Sequence, residues 1–162
     1  MDNRDQTRSL ASEALGDLAS PQKRLTTVVE KALRIASLRK HSYWRAWCEM
    51  QLRDLSEPQE ITAFHHKMTS TLDLDREGKQ IIENALVDYS ITRLTPSRGQ
   101  HAAFGGTLST LEDALRDAEL LQASMGTPPP DAIVYMSELR RALEKIRQRV
   151  RNYLIDVESE TI

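Results

Sequence analysis

The sequence predicts an all-α fold, an irregular helical bundle of about six helices with a long C-terminal helix. Three observations predict it. Apolar residues recur at helical spacing in one segment after another. The prolines and loop glycines (Pro21, Pro58, Pro96, Pro128 to Pro130, Gly99, Gly105 and Gly106) fall between those segments. The last apolar series, Met136, Leu139, Leu143, Ile146, Val150, Tyr153 and Val157, repeats close to every 3.5 residues. At 162 residues, 40% hydrophobic and 28% charged, the chain is read as a single helical domain, 1–162, able to bury a core without disulfide or metal.

The elements follow in order. Residues 1–19 are expected to be a partly ordered N-terminal segment. Between Ser20 and Lys40, the residues Leu25, Val28, Val29, Ala32, Leu33 and Ala36 make an amphipathic stripe, with Ser20 before Pro21 as its N-cap. After the polar break at Lys40 to Ser42, a second helix carries Trp44, Trp47, Cys48, Leu52 and Leu55 and ends at Pro58. The two are expected to form an antiparallel hairpin. Ile61, Phe64, His65, Met68 and Leu72 make a shorter helix; Ile81, Ile82, Ala85, Leu86 and Tyr89 make another, opened by an aspartate cap at Asp73 or Asp75. Val87 to Thr92 alternates apolar and polar, so residues 87–94 read either as helix or as strand. Residues 93–106 form a glycine-bearing loop, expected to be flexible. Ser109 and Glu112 then have the spacing of a capping box, opening a helix with Leu108, Leu111, Leu115, Ala118 and Leu121. The last helix starts near Asp131.

A net charge of −2 gives no global pull on a polyanion. The longest apolar runs are four or five residues, against the roughly 20 a membrane span requires. MDNRDQTRSL lacks the apolar core of a signal peptide. A cytoplasmic protein without a membrane partner is expected. The lone Cys48 offers neither a disulfide nor a thiolate cluster, and no metal site and no cofactor are expected.

The stretch from Lys31 to Leu55 holds both tryptophans and the cysteine. Trp44, Trp47 and Cys48 share one helix face, which reads as a packed corner. The alternative is an aromatic binding surface. Arg34 and His41 give an R-x6-H pair, similar to the motif of the HEPN ribonucleases, although Ile35 stands where that family has a polar residue. The resemblance implies an arginine and a histidine acting on a ribose 2′-hydroxyl across a dimer. The chemistry needs both a group for the proton and a cation for the phosphate.

A broader resemblance rests on ALRIAS, YWRAWCEMQLRDL and SELRRALEKIRQRVRNYLIDVE, roughly 50 of the 162 residues. These segments resemble the opening and closing helices of the AbiTii family of phage-defence proteins, with Leu33, Ala36, Trp47, Glu49 and Leu52 at the matching positions. A helix bearing His65 and His66 replaces that family's proline- and glycine-rich middle section. The resemblance implies a non-catalytic helical partner module in bacterial antiviral immunity and assigns no catalytic residue.

Three fainter patterns have simpler readings. Asp73, Asp75, Glu77 and Gly78 imitate the start of a calcium loop, but Asn84 stands where the bidentate carboxylate belongs, and a helix-capping turn explains the same residues. His65 and His66 are adjacent on a helix, so their side chains diverge by about 100° and cannot share a metal. Arg98 and His101 lie among small residues in the 93–106 loop, open to an anion, yet no phosphate-binding helix motif follows.

The strongest electrostatic feature is on the last helix, where Arg140, Arg141, Lys145, Arg147, Arg149 and Arg151 are interrupted in sign only by Glu144. It reads as a partner-binding face for protein, as a nucleic-acid backbone contact, or as a solvated face paired with Asp113, Asp117 and Glu119. The functional expectation is a non-catalytic interaction or adaptor module, binding a protein partner or its own copy. The alternatives are an HEPN-like ribonuclease using Arg34 and His41, and a nucleic-acid-binding accessory subunit using the basic helix.

Overall fold

The computed structural model describes residues 2–71, 75–95 and 104–160. Among them are seven helices and no strand: α1 (Asn3–Ala19), α2 (Leu25–Arg39), α3 (Ser42–Gln51), α4 (Pro58–Thr71), α5 (Arg76–Thr92), α6 (Leu108–Met125) and α7 (Pro130–Ser159). The all-α bundle is thus as the periodicity implies, with one helix more than expected.

The additional helix is α1, within the segment read as partly ordered. Its buried side is Thr7, Ala11, Ala14 and Leu18, mostly small residues that give a weak apolar stripe but let the helix lie close against α2 and α7. Asp2 caps it, accepting from the Asp5 N–H at 2.8 Å. Lys31 of α2 ties it down through Glu13, at 2.8 Å, and Asp17. Thr7 Oγ1 donates to the Asn3 carbonyl at 2.6 Å and accepts from Arg39 Nε at 2.6 Å. Arg39 also pairs with Glu160, which Arg4 reaches at 3.3 Å, so one cluster of charges joins α1, α2 and the C-terminal end of α7.

Leu25, Val28, Val29, Ala32, Ile35 and Ala36 form the buried face of α2. Its start differs from expectation. Ser20 closes α1 instead, its N–H donating to the Asp17 carbonyl at 3.0 Å, and α2 begins after Arg24 with no cap of its own. The cap comes from α6: the Glu112 carboxylate accepts from the Leu25 N–H at 2.8 Å, the Thr26 N–H at 2.9 Å and the Thr26 hydroxyl. Accordingly, Ser109 and Glu112 do not form a capping box. Thr107 is the N-cap of α6, accepting from the Thr110 N–H at 3.1 Å, which places Glu112 too far along the helix to fold back on its start.

Lys40 ends α2 in the left-handed conformation, φ 58°, and the His41 N–H returns to the Ala36 carbonyl at 2.9 Å, turning the chain sharply into α3. α3 packs on both α2 and α5. It stops at Gln51, so Leu52 and Leu55 lie beyond it, and Pro58 opens α4 rather than closing α3. Asp75, one of the two expected caps, accepts from the Gly78 N–H at 2.8 Å to open α5; Asp73 lies outside the described residues. α5 stays helical to Thr92, which resolves most of the ambiguity over residues 87–94: Tyr89 and Thr92 face the core while Val87 and Ile91 face outward. Residues 96–103 of the expected flexible loop, with Arg98 and His101, lie outside the described residues.

The C-terminal helix is the spine. Met136, Leu139, Ala142, Ile146, Val150, Tyr153, Leu154 and Val157 are buried, and the helix packs against α1, α2, α5 and α6. No helix among the described residues is long and apolar enough to cross a membrane.

Candidate interaction surfaces

The tryptophan corner is mostly core. Trp47 and Cys48 are fully buried. Burial alone pushes the Cys48 thiol well above its ordinary range, leaving it neutral and unreactive. Trp44 is half-buried. It meets Trp47 edge-on with ring centroids 5.6 Å apart and stacks on Tyr153 of α7 at 4.7 Å, so its main partner is α7 as well as the neighbouring tryptophan.

Arg149, expected on the partner-binding face, is drawn into this corner. Its guanidinium lies 5.5 Å from the Trp44 ring centre, 5.6 Å from Trp47 and 5.9 Å from Tyr43. It donates to the Tyr43 hydroxyl and stands 3.5 Å from Asp88, to which Tyr43 also donates. Burial and the Asp88 hydrogen bond push the Tyr43 phenol well above its usual range. A cation over three aromatic faces and beside a carboxylate locks α7 to α3 and α5.

The other five cations separate further. Arg147 donates to the Leu18 carbonyl at 2.6 Å, capping the C-terminal end of α1. Arg140 pairs with Glu119 at 3.2 Å. Both line a groove of about 670 Å³ between α2, α6 and α7, together with the cations Lys23 and Arg141 and the acids Glu112, Glu119 and Glu144. Asp113 and Asp117 are held by Arg116, at 3.4 and 3.8 Å, and Asp113 also by Arg24 at 2.9 Å. Arg141, Lys145 and Arg151 are exposed. Arg141 and Lys145 sit one turn apart on a single face, with Arg151 displaced by about 80° from Arg141 and about 120° from Lys145 around the helix.

The structure does not bring Arg34 and His41 together as a hydrogen-bonded pair. Arg34 is exposed on the outer side of α2. His41 sits at the α2–α3 junction, its Nδ1 2.8 Å from the Tyr153 hydroxyl. Burial, with Arg39 adding to it, lowers its pKa below the ordinary histidine value. It borders a groove of about 570 Å³ with Lys40, Trp44, Tyr153, Asp156 and Glu160. Two of those residues are acids, which repel a phosphate backbone. His65 is half-buried with Nε2 3.7 Å from Glu83, while His66 is exposed.

Sequence reasoning missed Arg93. It is fully buried, donating to Gln51 Oε1 at 2.8 Å and to the Gly106 carbonyl at 2.6 Å, with its guanidinium 4.6 Å from the Tyr89 ring centre. The readable signal was its register: Ile82, Ala85, Tyr89 and Arg93 continue one helical stripe, so the cation falls on the apolar side. It fastens the end of α5 to α3 and to the approach to α6.

Two apolar surfaces were also missed. Ile81, Val87 and Ile91 lie 40, 56 and 50% exposed along α5, continued by Leu94 at 38%. Beside them is a groove of about 480 Å³ formed by Tyr43, Ile81, Asn84, Val87 and Asp88. Leu120, Leu121 and Met125 near the end of α6, and Ile133 and Val134 near the start of α7, are 42 to 63% exposed.

Compared with protein-family models, curated proteins and solved structures, the chain matches none of them.

Proposed function

We propose that this chain is a non-catalytic helical interaction module, an adaptor acting by protein–protein contact. The observation that supports it is the set of large apolar side chains left exposed among the described residues, with Val87 and Ile91 one turn apart on the outer side of α5 and others near the α6–α7 turn. Single exposed apolar residues are ordinary, whereas clusters on the same helix face are the composition of a protein interface. Two such faces give a small domain the means to hold one protein while joining another. The resemblance to the AbiTii family supports placing it in a cytoplasmic complex for bacterial antiviral defence or regulation.

The experiment is purification of the tagged chain from its own host under native conditions, beside Val87→Glu and Ile91→Glu. A stoichiometric partner retained by the parent and lost from both variants, with unchanged circular dichroism, is expected. If the same proteins accompany all three chains, the α5 face is not a docking surface.

A second reading, as a nucleic-acid-binding accessory subunit, draws on the exposed Arg141, Lys145 and Arg151. It requires a salt-sensitive gel shift that Arg141→Glu with Lys145→Glu abolishes.

A further inference from the structure

A cleft of about 660 Å³ lies between the α3–α4 connection, the C-terminal end of α5 and the segment leading into α6. Its apolar walls are Leu55, Ile61, Tyr89 and Phe104, and its charged members are Asp54 and Arg93. Gly105 shapes one wall: a Cβ there would stand 2.5 Å from Ser56 Oγ, so only glycine lets this segment close on the α3–α4 connection. Phe104 is held by its N–H, which donates to the Arg93 carbonyl at 2.7 Å, and by the Tyr135 ring, edge-on at 6.0 Å.

The two charges are unequally served. Arg93 is fully buried, yet among the described residues its guanidinium bonds only neutral groups: Gln51 Oε1 at 2.8 Å and the Gly106 carbonyl at 2.6 Å, with the Tyr89 ring beside it. Asp54 acts on it through charge without forming an ion pair. Its Nε is buried with no acceptor, and Nε2 of the Gln51 amide that it bonds is buried with none either. A buried cation is ordinarily matched by an anion, because its desolvation is otherwise uncompensated. Asp54, by contrast, is exposed. The Ser56 hydroxyl and N–H both donate to its Oδ1, and the hydroxyl bond first, then the N–H, holds its carboxyl below the usual carboxylate range. It is therefore ionised at neutral pH, with acceptor capacity to spare on Oδ2.

We propose that this cleft binds a small zwitterion with an apolar body, of the class of the hydrophobic α-amino acids. The carboxylate meets Arg93, the ammonium meets Asp54, and the side chain lies against Leu55, Ile61 and Phe104. The inference goes beyond the interaction-module reading and does not depend on it. Charge selects the ligand. A simple carboxylate or a phosphate is repelled by Asp54 while Arg93 attracts it, and a simple amine meets the reverse, so only a ligand carrying both charges is favoured at each end. The guanidinium is covered, so the carboxylate reaches it by taking the place of the Gly106 carbonyl, and exchanging a neutral acceptor for an anion strengthens the bond to Arg93. Gly106, at φ 87°, gives the segment the backbone freedom for that exchange. For a ligand of about twelve non-hydrogen atoms the expected dissociation constant is about 0.1–1 mM.

NMR titration of the intact, isotope-labelled chain with L-phenylalanine, L-leucine, 3-phenylpropionate and 2-phenylethylamine tests the proposal, since the last two keep the ring and carry one charge each. At least one of the two amino acids should shift the amides of Ser56, Arg93 and Gly106 saturably, and the two single-charge analogues should bind at least about tenfold more weakly. Asp54→Asn, at an exposed position, should weaken the amino acid about tenfold and leave 3-phenylpropionate no weaker than in the parent. Arg93→Lys should weaken both carboxylates; if that chain does not fold, the Asp54→Asn comparison decides alone. Arg141→Glu, outside the cleft, should bind as the parent does. The proposal is overturned if neither amino acid gives saturable shifts at these amides up to about 10 mM, or if 3-phenylpropionate binds the parent as tightly as the amino acid. An Asp54→Asn chain that binds the amino acid as tightly as the parent overturns it too. None of these results bears on the α5 docking experiment, so the two readings fail separately.

Discussion

Replacing Glu112 should loosen the start of a helix in which it does not lie. Its carboxylate takes both the Leu25 and Thr26 N–H groups, at 2.8 and 2.9 Å, together with the Thr26 hydroxyl, and its side chain is only 17% exposed. Loss of an N-cap costs about 1 kcal/mol, and a hydrogen bond to a charged group is worth about 1.5–3 kcal/mol when the partner cannot turn to water. The first turn of α2 is half open, so water recovers part of that, and Glu112→Ala is expected to cost about 2 kcal/mol in all. For a chain of this size that corresponds to a fall in Tm of roughly 4–8 °C.

Urea unfolding with an unchanged slope is the assay, since the substitution should alter stability and not the surface exposed. Glu112→Gln keeps one acceptor oxygen and should lose about half as much. A cycle pairing Glu112→Ala with Thr26→Val should show coupling of at least about 0.5 kcal/mol. Ser109→Ala serves as the contrast. A capping box would make it cost about 1 kcal/mol, whereas with Thr107 as the true cap it should be nearly neutral. A Glu112→Ala loss below about 0.5 kcal/mol, within the ordinary scatter of surface changes, would refute the inter-helix cap.

Trp47→Ala empties a fully buried site and should cost about 3–5 kcal/mol, with the parent protein's emission shifted to the blue of free tryptophan; water-like emission from both indoles would sink the packed-corner reading. Arg93→Lys should cost about 2 kcal/mol, because a lysine ammonium cannot hold Gln51 and the Gly106 carbonyl in the fork that guanidinium provides; chemical denaturation of the variant decides. The Glu160 carboxyl is held below its ordinary range by hydrogen bonds from Arg39 and then Arg4, so the unfolded chain takes up that proton first. Its stabilisation should be present above the unfolded value near 4.5 and be lost as pH falls below it, and Glu160→Gln should flatten that slope. His41, lowered from 6.5, works in the same direction at higher pH: the unfolded imidazole protonates first, so stability should fall as pH drops below about 6.5. An NMR titration placing His41 above that value would overturn this.

The features legible in the sequence are those set by local period. The stripes of α2, α5 and α7 put Val28, Ala85 and Ile146 in the core because each has apolar neighbours three and four residues away, and burial follows. Helix α1 escaped because Ala11 and Ala14 carry little hydrophobic signal; their value is the close approach they permit, which exists only once α2 and α7 are in place. Glu112 was misassigned for a related reason: its three-residue spacing from Ser109 is local, but the N–H groups it serves are 86 and 87 residues away. A capping rule cannot see a donor that folding delivers.

The basic helix shows where charge alone stops being informative. Six cations in twelve residues read as one face, yet they serve different ends. Arg149 precedes the buried Val150 and so stands at the edge of the seam, where its apolar stem reaches over Trp44 and Trp47 while the guanidinium finds Tyr43 and Asp88. Arg147 is aimed at the end of α1, and Arg140 at Glu119. What separates them is not their chemistry but what lies within reach of each stem, and that is a property of neighbouring helices. Leu121 continues the stripe of Leu111, Leu115 and Ala118, but a stripe states only that a side chain has an apolar face to cover. Whether anything in the same chain covers it depends on what the fold places beside it, and here Leu121 is left 59% exposed.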